Sequence, residues 1–270
     1  MDNRPIGVFD SGLGGLTAVR QIKKILPFED IIYLGDTGRV PYGTRSKETI
    51  IKYTKQDINF LLSHNIKAIV VACGTASSVA LKEVENDYSV PIVGVVEPTV
   101  LASINGNINQ KIGIIGTTST IKSGAYSRLI KEISDEKSLN IQTFEKDCPL
   151  FVPLVENGRF LRGDAVTKLV VEEYLTDIKN ENIDTLILGC THYPLLKELI
   201  ADFLGENVKL IDPGAVTAEY IAKNFDKSEE KKANYNYYVT DDVESFTKNA
   251  KSFLCEEIND KTHMIDILEY

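Results

Sequence analysis

Ala68-Ile-Val-Val-Ala-Cys73-Gly-Thr75 and Thr185-Leu-Ile-Leu-Gly-Cys190-Thr191 read alike. Each is a short, unbroken aliphatic run that ends in a small residue and a cysteine. Apolar runs without polar alternation suit strands buried on both faces, the signature of a parallel sheet covered by helices. The residues behind each cysteine read as helix, over Ala76–Glu85 in the first case and Pro194–Leu204 in the second. Pro194 suits a first helical turn. In open parallel sheets ligands bind beyond the carboxyl ends of the strands, so both cysteines fall where a site belongs.

The same alternation runs outward from these two units. Further strands are expected at Ile6–Phe9, Ile31–Leu34, Ile92–Val96, Ile112–Ile115, Ile141–Phe144, Val208–Ile211 and Tyr235–Val239. Helices are expected over Ser46–Leu62, Asp164–Ile178 and Val243–Leu254. Strand and helix in alternation define an α/β chain. A faint duplication is visible. Ile6-Gly-Val-Phe-Asp10-Ser11-Gly12 resembles Ile112-Gly-Ile-Ile-Gly116-Thr117-Thr118, and each precedes a cysteine unit by a similar interval, 73 − 6 = 67 and 190 − 112 = 78 residues. This order predicts two similar doubly wound lobes with the active site in the cleft between them. The first lobe is expected to comprise residues 1–97 with 210–270, and the second 98–209.

The composition narrows the function. The chain has 270 residues, 43% of them hydrophobic, enough for substantial cores. A formal net charge of -9 disfavours nucleic acid, whose phosphates call for clustered Lys and Arg. The one short basic pair, Lys231–Lys232, follows Glu229–Glu230 and reads as solvated loop. No apolar run reaches the roughly 20 residues of a membrane span. The first residues lack a signal-peptide layout, so a cytoplasmic protein is expected. Four cysteines without a C-x-x-C pair, and three scattered histidines, argue against disulfides and against a zinc site.

Cys148 and Cys255 read as ordinary small side chains. Two cysteines at matching strand ends, both with a nearby threonine and one with His192, read as chemistry. A helix N-terminus behind a thiol is expected to lower its pKa from about 8.5 and to bind anions. A phosphatase-type loop needs an arginine six residues after the cysteine, where Val79 and Leu196 stand. A cysteine amidase remains open through His192, but leaves the second cysteine without a task. Asp10-Ser-Gly-Leu-Gly-Gly15 lacks the Gly-x-Gly-x-x-Gly register of a dinucleotide loop. Inverting a carbon centre, by contrast, needs a proton taken from one face and returned to the other. Two equivalent thiols provide one acid/base group per face. The carbon acid is weak, and each pKa unit of mismatch costs about 1.36 kcal/mol. The site must therefore stabilise a developing carbanion with preorganised donors and exclude water. Backbone N–H groups at Ser11, Thr75, Thr117–Thr118 and Thr191 are candidates for binding substrate carboxylates.

At this point several motifs resemble those of the glutamate racemase family. They are Gly7-Val-Phe-Asp10-Ser11-Gly12-Leu-Gly-Gly15-Leu16, Asp36-Thr-x-x-x-Pro41-Tyr42-Gly43, Cys73-x-Thr75-Ala76-Ser77, Cys148-Pro-Leu-Phe-Val-Pro-Leu-Val-Glu156 and Gly189-Cys190-Thr191-His192-Tyr193-Pro194-Leu195. They run in order from residue 7 to residue 195, and jointly they are specific. The resemblance implies a cytoplasmic enzyme that interconverts L- and D-glutamate without pyridoxal phosphate or metal and feeds peptidoglycan synthesis. It implies that Cys73 deprotonates D-glutamate and Cys190 deprotonates L-glutamate, with Asp10 assisting Cys73, His192 assisting Cys190 and Glu156 close to that side. It further implies that Ser11, Tyr42, Gly43, Thr75, Thr118 and Thr191 hold substrate, together with Asp10 and His192, and that the protein is a homodimer.

One position departs from the pattern. The family usually carries Asn after the first cysteine, where this chain has Gly74, which keeps a backbone N–H for substrate but loses a side-chain amide. Two other readings stay open on the sequence: an aspartate or hydantoin racemase of the same superfamily, and a non-catalytic dicarboxylate-binding protein.

Overall fold

A computed structural model describes residues 1–104, 106, 108–258 and 261–270. Among the described residues, ten strands form two wholly parallel sheets. The first sheet contains β1 (Ile6–Asp10), β2 (Ile31–Gly35), β3 (Ala68–Val71) and β4 (Ile92–Gly94). The second contains β5 (Asn109–Gly116), β6 (Asn140–Asp147), β7 (Thr185–Leu188) and β8 (Lys209–Ile211). The chain then returns to the first sheet with β9 (Tyr235–Val239) and β10 (Thr262–Met264). The strand orders are β10-β9-β2-β1-β3-β4 and β6-β5-β7-β8. Without the two late strands, both sheets have the same order, second-first-third-fourth. The faint duplication in sequence is thus a duplication of topology. In each lobe the cysteine follows the third strand, beside the first strand, where the winding changes direction and a crevice opens.

The local chemistry explains the elements. The strands β1, β2, β3 and β7 are buried at every position, as two-sided coverage requires. Helix Lys47–Leu62 starts at Ser46, whose side chain accepts a hydrogen bond from Thr49 N. It buries Ile50, Thr54, Asp57, Ile58 and Leu61, one face at helical spacing that includes a carboxyl group. Helix Ala165–Asn180 is capped in the same way by Asp164. One apolar cluster joins Val8 and Tyr33 of the first lobe to Ile115, Leu188 and Tyr193 of the second, so the lobes share part of their core. No helix among the described residues is long and apolar enough to cross a membrane.

Three expectations are corrected. The run Ile92–Val96 leaves the sheet at Gly94, and Val96 already opens the helix Val96–Ser103. The expected helix Ala76–Glu85 starts two residues earlier, because the Cys73 side chain caps it, and is divided at Ala80 into two short helices, Gly74–Val79 and Leu81–Val84. The expected helix Pro194–Leu204 begins as the 3-10 turn Tyr193–Leu196 and becomes α-helical only at Lys197–Leu204. The edge strand β10 had no sequence signal: its three half-exposed or exposed residues show no apolar pattern.

The return of the chain from the second lobe is pinned by a buried ion pair. Lys67 Nζ lies 2.6 Å from Glu29 Oε2, with both side chains about 5% exposed or less. Glu29 also accepts hydrogen bonds from Ser228 N (2.7 Å) and Ser228 Oγ (2.8 Å), and Lys67 donates to the carbonyls of Asp2 and Asp226. Breaking one half of a buried pair strands the other charge. Lys67→Met is therefore expected to lower unfolding free energy by about 3–5 kcal/mol in urea titrations. The double variant that also makes Glu29→Leu should recover part of that loss.

Candidate active site

The carboxyl ends of the two sheets meet. Thr75 Oγ1, behind β3, is 2.9 Å from Thr117 Oγ1, behind β5. Thr191 Oγ1, behind β7, donates to Asp10 Oδ1, at the end of β1, over 3.3 Å. Thr17 Oγ1 donates to the Thr191 carbonyl over 2.9 Å. Asp10, Ser11, Cys73, Gly74 and Thr75 of one lobe are thereby brought against Cys190, Thr191 and His192 of the other. Gly43 joins them, its carbonyl accepting from Ser119 Oγ over 2.7 Å.

Two glycines make this approach possible. A Cβ on Gly74 would stand 2.5 Å from the Gly189 carbonyl oxygen and 3.7 Å from Cys190 Cα. The two cysteine loops therefore touch through their main chains, and an asparagine at 74 would require them to part. A Cβ on Gly14 would stand 2.2 Å from Thr191 Oγ1 and 2.5 Å from His192 Nδ1. Behind these loops, between them and Ala18, Val95 and Gly214, the packing leaves a cavity of only about 10 Å³, at or below the space one water needs.

The two thiols sit in different surroundings. Cys73 is buried and caps its helix, accepting from Ala76 N at 3.4 Å, with Ser11 Oγ 3.8 Å away. The expected lowering by the helix N-terminus does not prevail. Burial and the charge of Asp10 push the thiol up to about 12, against the weaker pull of the Ala76 N–H and Ser11. Cys190 faces a cation instead. Its Sγ is 3.9 Å from His192 Nδ1, while His192 Nε2 is 3.0 Å from Glu156 Oε1. A sulfur at one ring nitrogen and a carboxylate at the other are partners that favour the protonated ring. Burial works against that charge. The hydrogen bonds to Cys190 and Glu156, with the charges of Cys190 and Asp10, outweigh it and raise His192 to about 10. Burial raises the Asp10 carboxyl, while the His192 charge, the Gly15 and Gly12 N–H groups and Thr191 oppose the rise.

Two expected substrate ligands turn their side chains elsewhere. The Tyr42 hydroxyl lies between Asp36 and Asp57 inside the first lobe. The Thr118 hydroxyl donates to Asp147 within its own lobe at 2.8 Å. For both, what remains for a ligand is the main chain. Gly14 and Thr17 were not singled out in the sequence, although both shape the junction. The Gly14–Gly15 doublet ahead of a helix was the available signal. Asp57 gave none, since a carboxylate at helical spacing reads as a solvated face.

Two α/β lobes of one topology, each with a cysteine behind its third strand at the junction with the other, define a pseudosymmetric two-lobe protein. The family model for Asp/Glu/Hydantoin racemase matches residues 6–221, and the chain belongs to that family. It is 47% identical to the glutamate racemase of Persephonella marina over 244 residues, 90% of each chain. It superposes with a TM-score of 0.88 on the crystal structure of the Francisella tularensis glutamate racemase in complex with D-glutamate, at 38% identity and full coverage of both chains. A glutamate racemase isoform of Bacillus anthracis gives a TM-score of 0.90 at 35% identity, with 98% of each chain covered.

The two hydrogen bonds of His192 yield a direct test. The ring is expected to be an imidazolium at pH 7 by nitrogen NMR, titrating near pH 10. Glu156→Gln removes the carboxylate that favours the cation, so the midpoint should move to lower pH. An unmoved midpoint would show that Glu156 does not hold the charge.

Proposed function

We infer that this chain is an isomerase that interconverts L- and D-glutamate. The observation that carries the reading is the pair Cys73 and Cys190, set at equivalent strand ends of two like lobes on loops that touch through Gly74 and Gly189. The full-length likeness to glutamate racemases supports the substrate. In the proposed reaction one cysteine, as thiolate, takes the α-proton from one face of the bound amino acid. The other, as thiol, gives a proton to the opposite face, so charge and protons balance and the roles are exchanged for the reverse direction. Cys73 acts on D-glutamate and Cys190 on L-glutamate.

The surroundings suit these roles. Asp10, its carboxyl raised by burial, is a fit acceptor for the Cys73 proton. His192, held as a cation, is a fit donor to Cys190, with Glu156 compensating its charge. The N–H groups of Ser11, Gly43, Gly74, Thr75, Thr118 and Thr191 are assigned to the substrate carboxylates, and the Thr75 and Thr191 hydroxyls lie in the same junction. Closure of the lobes over the bound amino acid would exclude water from the carbanion. The family resemblance adds the remaining parts of the proposal: no cofactor, a cytoplasmic location, a homodimer, and supply of D-glutamate to peptidoglycan.

The test is α-proton exchange in deuterated water. Purified protein without added cofactor should equilibrate either glutamate enantiomer and place solvent deuterium at Cα. Cys73→Ser and Cys190→Ser should each slow racemisation in both directions by at least about 10²-fold, the lower bound for losing a positioned acid/base group. Full racemisation by either variant would overturn the two-thiol mechanism. Turnover of aspartate with glutamate inert would overturn the substrate.

A further inference from the structure

Behind the turn that carries Tyr42 and Gly43 lies a buried polar cluster to which the reaction above gives no task. Asp36 and Asp57 both have fully buried side chains, and a single guanidinium, Arg39, bridges them. Arg39 Nε donates to Asp36 Oδ2 over 2.6 Å, and its Nη2 donates to Asp57 Oδ1 over 3.0 Å. Its plane lies 4.1 Å over the Tyr53 ring, which fixes the fork. The Tyr42 hydroxyl contacts Asp36 Oδ2 and, at 2.8 Å, Asp57 Oδ2. A phenol has one proton. It can serve one of the two carboxyl oxygens, and the other contact needs a proton from the carboxyl side.

The partners decide which carboxyl carries it. Asp36 receives Thr240 Oγ1 at 2.9 Å besides Arg39 and Tyr42, the full set of donors that suits an anion. Besides the shared Tyr42 hydroxyl, the one donor that the described residues give Asp57 is Arg39. Burial also raises the Asp57 carboxyl well above the usual range, helped by the charges of Asp36 and Asp10, and opposed by Arg39 and Tyr42. We propose that Asp57 is a positioning residue for the racemase reaction: as a neutral carboxylic acid it donates to the Tyr42 phenol, which donates in turn to Asp36, and this chain of protons seats the Tyr42–Gly43 turn against the second lobe.

The geometry links the cluster to the junction. A Cβ on Gly43 would stand 2.8 Å from Thr117 Cβ, and Thr117 Oγ1 is the partner of Thr75 Oγ1. The base of the same loop is tied down from the other side, Gly38 N donating to Thr240 Oγ1 and Thr37 Oγ1 to the Asp241 carbonyl. Asp57 thus acts on the ligand only through the main chain of residues 42–43. It rests on the racemase reading, and its loss should weaken glutamate binding while the thiols stay in place.

Two variants and one spectrum test this. Asp57→Asn keeps an acceptor for Arg39 and offers an N–H to the Tyr42 oxygen, so it mimics the neutral acid. Asp57→Leu offers neither. Asp57→Asn is expected to keep KM and kcat for glutamate within about threefold of wild type. Asp57→Leu is expected to raise KM about tenfold or more, the size of one lost buried hydrogen bond, with kcat little changed. Infrared difference spectra at neutral pH should show a carboxylic-acid C=O band in the wild type that Asp57→Asn removes. The proposal is overturned if Asp57→Asn is as impaired as Asp57→Leu, if Asp57→Leu keeps the wild-type KM, or if no such band is lost. If Asp57→Leu does not fold, Asp57→Asn and the band decide. A wild type inert on both enantiomers would overturn the racemase reading and the positioning role together. An active wild type whose Asp57→Asn variant retains the band would overturn the proton chain alone.

Discussion

Two opposite charges buried on different lobes, the carboxylate of Asp10 and the imidazolium of His192, hold the rest of the site to its geometry. Each would be costly alone in so dry a place. Asp10 lowers its cost through the Gly12 N–H, the Thr191 hydroxyl and the field of His192. His192 does so through Glu156, Cys190 and Asp10. The compensation crosses the junction, so contact between the lobes completes the electrostatics. The same contact buries both thiols, and in so dry a site fixed dipoles act strongly on any developing charge.

The two halves share a topology without sharing electrostatics. Cys73 lies among an acid and a hydroxyl, and burial with Asp10 pushes its thiol up, while Cys190 lies beside His192. One duplicated strand–turn–helix unit has thus been given opposite neighbours on its two copies. The helix N-terminus behind Cys73 contributes a single N–H contact, and burial of the sulfur outweighs it.

Much of this was legible along the chain. The strands were readable because aliphatic runs such as Ala68–Val71 and Thr185–Leu188 admit few other interpretations between helical segments. The paired cysteines were readable because the same short pattern occurs twice. Asp57 was not, because an acidic residue in an amphipathic helix is ordinarily solvated, and its burial depends on Arg39 and Tyr42, which lie 18 and 15 residues away. Strand β10 was not, because an exposed edge strand of three residues has no hydrophobic face to advertise. The early ends of Ile92–Val96 and Ala76–Glu85 escaped for a related reason: local caps, set by backbone direction, decide where an element stops.

By itself the sequence determined the α/β class, the two like units and the residues able to move protons, since these follow from local periodicity and side-chain chemistry. Only the tertiary structure decided how those residues act. It placed Gly74 under the Gly189 carbonyl, turned the Tyr42 hydroxyl away from the junction, and set a cation beside one thiol and an acid beside the other. The physical reason is that burial and electrostatic compensation are properties of neighbours, and here those neighbours come from opposite lobes, in the case of Asp10 and Thr191 181 residues apart.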